Sequence, residues 1–272
     1  MVDWLESPTA LSEQYADATN LNARIALHEQ YSTAETGLRE WQFDQLARDA
    51  VDVLAVGCGP ADLWAENCER IPSAWSVTLT DFSRGMIEDA HENLADCDRT
   101  FAFGAADVAR LPFEDDSFDA VTANHMLYHV PDREDAIAEL RRVLRPDGTL
   151  YATTNGEQNM VELYDVLEAV LGERPARATA FTLENGGSQL EQHFDDVRIR
   201  RYEHSLAVTD PDAPVAYALS RDDVDHSLAS DLHEAFAEAF ENKEGDHDSD
   251  GGDDDDGVFH ITKSVGMFRA SS

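Results

Sequence analysis

The chain reads as an α/β protein with a doubly wound, mostly parallel sheet. From Val51 onward, short apolar runs alternate with helical stretches, and turn residues separate the two. That alternation is the signature of repeated strand–helix units, whose helices cover both faces of a parallel sheet. The runs are mostly continuous in their hydrophobicity, as burial from both sides requires. At 272 residues the chain can form one such unit and bury about three quarters of its unfolded surface.

Residues 1–50 are expected to form a helical cover, because Leu21, Ile25 and Ala26, and later Trp41, Phe43 and Leu46, recur at spacings that give amphipathic faces. Residues 51–272 are expected to form the core. Strands are placed at about Asp52–Val56, Ser76–Thr80, Phe101–Phe103, Phe118–Ala123 and Thr149–Thr153, then Val197–Leu206 and Val258–Phe268. Ser83 can cap a helix that runs to about Ala95. Asp132 can cap another, which Pro146, Asp147 and Gly148 stop and turn into the fifth strand. Helical patterns follow at Gln158–Leu171, Leu183–His193, Pro214–Leu219 and Ser227–Asn242.

Charge excludes several functions. The chain has 56 Asp plus Glu against 20 Lys plus Arg, a formal net charge of -36, and its only lysines are Lys243 and Lys263. A surface so acidic repels phosphate backbones, so nucleic acid is not an expected partner. At molar salt, where the Debye length falls to about 3 Å, its self-repulsion is screened, and this points to a salt-rich cytoplasm. No apolar run reaches the roughly 18 residues of a membrane helix, and Met1–Ser12 lacks the pattern of a secretory leader, so neither membrane nor export is expected. Cys58, Cys68 and Cys97 are odd in number and lack CxxC spacing, which suggests neither a disulfide framework nor a zinc site. The acidic stretch Glu244–Gly257 starts like a calcium loop at Asp246, Asp248, Asp250 and Gly251. Its twelfth position is Gly257, however, where a bidentate Glu is needed, so it reads as a flexible solvated loop and no metal is expected.

The chemistry concentrates in VLAVGCGPADLW, Val53–Trp64. A strand ends at Val56, Gly57 and Gly59 allow a sharp turn and close approach of a ligand, and Pro60 opens the next helix. About twenty residues on, Asp81 ends the second strand, where a carboxylate can accept both hydroxyls of a ribose. Asp107 follows the third strand and can accept from an adenine amino group. In open α/β sheets ligands bind at the carboxyl ends of the strands, so one turn and two acids at that edge suit an adenosine-containing cofactor.

Taken in order, VGCGP (Val56–Pro60), LTDFSRGM (Leu79–Met86), DVARLPFEDDSFD (Asp107–Asp119), NHMLYHVPD (Asn124–Asp132) and VLRPDG (Val143–Gly148) resemble the class I S-adenosylmethionine-dependent methyltransferases. The closing ITKSVGMFRA (Ile261–Ala270) resembles that fold's last strand. The resemblance implies a Rossmann-like seven-stranded sheet with an antiparallel last strand, S-adenosyl-L-methionine as cofactor and a small-molecule methyl acceptor. It also implies roles: Gly57 and Gly59 toward the methionine part, Asp81 at the ribose, Phe82 and Val108 on the adenine faces, Asp107 at the adenine amine, and Asn124 near the acceptor. NLNARIALHEQYS, Asn20–Ser32, resembles the covering helix of related enzymes. Its Arg24 and His28, one helical turn apart, are candidates for the cofactor carboxylate or the acceptor. His125, Tyr128 and His129 are candidate catalytic groups, since a histidine near neutrality can take a proton from a hydroxyl, an amine or an acidic carbon.

Two positions depart from the family pattern: Ala55, often an acid that partners the cofactor's ammonium, and Ala61, often a third glycine. Ala55 keeps open a binding or regulatory module without turnover. A nicotinamide oxidoreductase is the other glycine-turn reading, but it would prefer glycine where Asp62 stands.

Overall fold

A computed structural model describes residues 26–241 and 257–272, so Arg24 and most of the Asp-rich stretch lie outside the described residues. Nine strands are described: β1 (Asp52–Val56), β2 (Ser76–Asp81), β3 (Phe101–Ala105), β4 (Phe118–Asn124), β5 (Leu144–Asn155), β6 (Asp196–Tyr202), β7 (Ser205–Val208), β8 (Phe259–Thr262) and β9 (Val265–Ser271). Seven form one sheet in the order β3-β2-β1-β4-β5-β9-β6, with β9 antiparallel to both its neighbours. The helices, after a helical turn at 26–31, are α1 (Leu38–Asp44), α2 (Asp62–Glu66), α3 (Arg84–Asn93), α4 (Arg133–Val143), α5 (Val161–Leu171), α6 (Gly186–Leu190), α7 (Asp212–Leu219) and α8 (Ala229–Glu241).

Both faces of the sheet are filled. One carries Leu54, Val121, Ile137, Leu140, Leu150 and Phe268; the other carries Val53, Leu79, Phe43, Trp64 and Tyr151. Burial of the central strands from both sides is why their sequence runs apolar without alternation. The β1 and β4 ends far from the glycine turn are pinned by Asp119. It accepts the Val51 and Asp52 N–H groups, both at 2.8 Å, and pairs with Arg145 at 2.6 Å.

The structure corrects several sequence expectations. Ser83 does cap α3, accepting from the Met86 N–H at 3.4 Å. Asp132 occupies the cap position of α4, but its side chain makes no cap bond; only its carbonyl accepts, from Ala136. Pro146–Gly148 does not precede the fifth strand. β5 begins at Leu144, and those residues form a bulge within it, between the Phe118–Leu144 and Ala120–Thr149 pairs. The Cys68 and Cys97 sulfurs are bonded to each other, a pairing that 29 residues of separation hid from the spacing argument.

The largest difference is a second, two-stranded sheet. The expected strands Val197–Leu206 and Val258–Phe268 each break in two, at Glu203–His204 and at Lys263–Ser264. The breaks face each other, between the pairs Tyr202–Val265 and Ser205–Thr262. Beyond them β7 and β8 leave the main sheet and pack with the 26–31 turn, α5, α7 and α8 around a separate core that includes Leu27, Leu167, Leu206, Phe236 and Ile261. The covering layer therefore draws on α5, β7, α7, α8 and β8 besides the 26–31 turn.

Candidate functional site

The carboxyl ends of β1, β4 and β5 meet this covering layer around a cavity of about 720 Å³, within the range of small-molecule sites. Gly57 and Gly59 turn the chain with φ of 57° and 54°, and Ala61 follows at 63°. At Gly57 a side chain would stand 2.8 Å from Met126 Cβ, so glycine is required for packing as well as for conformation. At Gly59 the equivalent position meets nothing within 4 Å.

Asp81 ties the turn to the end of β2. One oxygen accepts the Gly59 N–H at 2.9 Å and the other the Ser83 N–H at 2.8 Å. Burial pushes its carboxyl above the usual range, against the pull of the N–H groups of Ser83, Gly59 and Phe82. Three N–H groups leave the carboxylate at least one acceptor site for a hydroxyl. Next to it Phe82 is 65% exposed, an unusual state for a phenyl ring at a strand end. Asp107 is exposed and accepts the Ala109 N–H at 3.0 Å. Val108 is buried with Leu111 in the core beside β4, which leaves only its edge to a ligand.

Of the sequence-predicted residues, Gly57, Asn124, His125, Tyr128 and His28 line the cavity together. Asp81, Phe82, Asp107 and Val108 sit outside it at the β2 and β3 ends. His129 is not in its wall; its ring packs on Tyr128 at 4.5 Å. Asn124 is held by a relay in which Gln42 donates to the Thr153 hydroxyl at 3.1 Å and Thr153 donates to Asn124 Oδ1 at 2.7 Å. That commits the Asn124 oxygen and leaves its Nδ2 as the free-standing donor. Position 55 does line the cavity, so an acid there would have faced a ligand. Asp62 and Glu66 on α2 also line the cavity, and Arg39 holds them at 2.9 and 2.5 Å.

The reading of His125 as a base near neutrality needs revision. Its φ is 53°, its N–H bonds the Thr153 carbonyl at 2.9 Å, and burial, with the charges of Lys263 and His129, pushes its pKa down to about 4. It is neutral at pH 7 and too weakly basic to be an efficient proton acceptor there.

Several cavity residues escaped the sequence reading: Lys263, His204, Tyr164, Tyr202, Tyr217 and Arg39. Their signals were faint. Lys263 is one of two lysines, but no motif surrounds it. His204 and Lys263 are exactly at the two strand breaks, where no glycine or proline marks a change of direction.

Sheet order, glycine turn and strand-end acids fit the resemblance to the class I S-adenosylmethionine-dependent methyltransferases. Comparison with known proteins agrees, since residues 54–152 match the family described as methyltransferase domain. The chain is 37% identical over 105 residues to the demethylmenaquinone methyltransferase of Staphylococcus aureus, covering 39% of this chain and 43% of that protein. It is 32% identical over 118 residues to the ubiquinone/menaquinone biosynthesis C-methyltransferase UbiE of Francisella tularensis, covering 41% and 47%. The chain thus spans less than half the length of these curated relatives. A solved S-adenosylmethionine-dependent methyltransferase from Aquifex aeolicus shares the fold, with a TM-score of 0.51 at 14% identity over 68% of this chain and 92% of that one. The matched segment ends at β5, so the cavity's covering layer lies outside it.

Proposed function

We propose that the protein transfers a methyl group from S-adenosyl-L-methionine to a small-molecule acceptor. The observation that carries this is the Asp81 carboxylate, which closes the glycine turn through Gly59 and retains an acceptor site beside the exposed Phe82 ring. The residues fit the cofactor: Asp81 and Asp107 for ribose and adenine, Phe82 and the edge of Val108 for the ring faces, and Gly57 with the open approach at Gly59 for the chain of the amino acid. The Arg39–Asp62 pair offers both charges to its zwitterionic end, in place of the acid absent at 55. When bound, the cofactor supplies a methyl already activated on a sulfonium. The protein's part is then to align the acceptor and exclude water. Asn124, fixed by Thr153 and Gln42, and the walls formed by Tyr128 and His125 do this at the inner end.

Demethylmenaquinone and quinone methyl transfer, named for the relatives, make a planar ring compound the class of acceptor to try first. The covering layer has no counterpart in the matched segment and sets the actual choice. Cytoplasmic location, at high salt and away from nucleic acid and membranes, is part of the proposal and rests on the net charge of -36. Among the described residues no helix is long and apolar enough to cross a membrane. The Cys68–Cys97 bridge argues for a less reducing setting than most cytoplasms. Calorimetric titration with S-adenosylhomocysteine in molar KCl tests the reading. Binding that Asp81→Ala weakens about a hundredfold is expected, as for loss of a buried acceptor of several hydrogen bonds; no heat of binding contradicts it.

A further inference from the structure

One part of the cavity wall is unusual for so acidic a chain. Lys263 lines it, at the break between β8 and β9, and no carboxylate among the described residues pairs with it. It is surrounded by imidazoles, for its charge lowers the pKa of His28, His125 and His204 alike. His28 Nδ1 is buried and has no hydrogen-bond partner among the described residues. The carboxylates that reach the cavity, Glu29, Asp62 and Glu66, are all engaged by Arg39. Tyr128, Tyr164, Tyr202 and Tyr217 complete the walls. A buried amine and an orphaned imidazole are costly unless something pairs with them, and a chain with 56 acids has left that place for a ligand.

We propose that Lys263, with His28 and His204 beside it, recognises the methyl acceptor, and that the acceptor is a planar compound with an acidic hydroxyl, of the phenol or enol class, held as its anion. This rests on the reading of the cavity as a methyl-transfer site. The balance is simple: the hydroxyl proton goes to the lone pair of Lys263 Nζ, the O–H bonding electrons remain on oxygen, and an ammonium–oxyanion pair replaces two neutral groups. No other reactant is needed. Burial supports the step by lowering the Lys263 pKa to about 7, which makes an uncharged amine available near neutrality. His204 donates from Nδ1 to the Tyr202 carbonyl at 3.1 Å, which fixes the orientation and tautomer of a neutral ring beside Lys263. The tyrosine rings suit a flat acceptor better than an aliphatic amine.

4-Nitrophenol is the probe, because its phenolate absorbs in the visible and its phenol does not. It is titrated into the full chain saturated with S-adenosylhomocysteine, at a pH where the free probe is mostly protonated, and compared with 4-nitroanisole, which has the same ring and no proton. The expected result is phenolate absorbance on binding and affinity at least about tenfold above that of nitroanisole, the scale of a hydrogen bond between charged groups. Lys263→Met should abolish the absorbance, whereas Lys263→Arg, which keeps a cation at the same place, should retain part of it. S-adenosylhomocysteine affinity should stay unchanged in both variants, so loss of that affinity would indict the methyltransferase reading or the variant's fold instead. Equal binding of the two probes by the unaltered chain, no binding of either, or phenolate absorbance that survives Lys263→Met overturns the proposal.

Discussion

The two halves of the molecule were built under different constraints. Around β1 to β5 each chemical group stands at a strand end, held by backbone hydrogen bonds: Gly59 to Asp81, Ser83 to Asp81, His125 to Thr153. In the covering layer of β7, β8, α5, α7 and α8, the groups that reach the cavity are held by packing around a second core and by two strand breaks. The first half makes a site fixed by the backbone of the sheet itself. The second makes a wall that can change without disturbing the sheet, which is where acceptor choice belongs.

Salt should produce the largest response, and in both halves together, because the acidic residues are spread along the whole sequence. Melting temperature is expected to rise steeply from low to molar KCl; a flat response would remove the salt-rich interpretation of the charge. Phe236→Ala comes next. This ring is fully buried in the second core, and its loss is expected to cost about 3–5 kcal/mol in denaturant titrations. The comparison sharpens if the variant still binds S-adenosylhomocysteine at normal affinity, and breaks if cofactor binding falls in proportion to stability.

Gly57→Ala is the matching change in the first half. The new Cβ would lie 2.8 Å from Met126 Cβ on a backbone of φ 57°, and about 1–3 kcal/mol of stability should be lost, with cofactor affinity falling too. Calorimetry on the variant reads both.

The last comparison is by pH, and it separates Lys263 from the buried histidines. Lys263 has a pKa of about 7 when folded against 10.5 as its ordinary value, so between these limits the unfolded chain binds more protons and stability rises with pH. His125 and His204, each lowered to about 4 chiefly by burial from 6.5, have the same sign in a lower window, and stability falls as pH drops from about 6.5 to 4. In melting curves Lys263→Met should flatten the upper window and, by removing a charge that lowers the His125 and His204 pKa values, narrow the lower one only in part, since burial remains their main cause. An unchanged upper slope would mean that Lys263 titrates normally.

The contrast also explains what could be read from the sequence. Strand–helix alternation gave the sheet, and Gly57, Asp81 and Ser83 stood where local rules put them, because turn conformation, capping and strand ends leave marks within a few residues. The bulge at Pro146–Gly148 was mistaken for a turn because the same residues serve both. The β6–β7 and β8–β9 breaks left no mark: each run stays strand-like through His204 and Lys263, and only pairing across sixty residues of chain redirects them. The basic end of the cavity was invisible for that reason.

The central claim is that the tips of β1, β2 and β4 hold an adenosyl cofactor with its reactive end turned toward the covering layer. A crystal structure of the complex with S-adenosylhomocysteine tests it most directly. Ribose hydroxyls on Asp81, the adenine against Phe82 and the sulfur facing Asn124 are the predicted result; ordered ligand anywhere else, or with its sulfur turned away from Asn124, would contradict it.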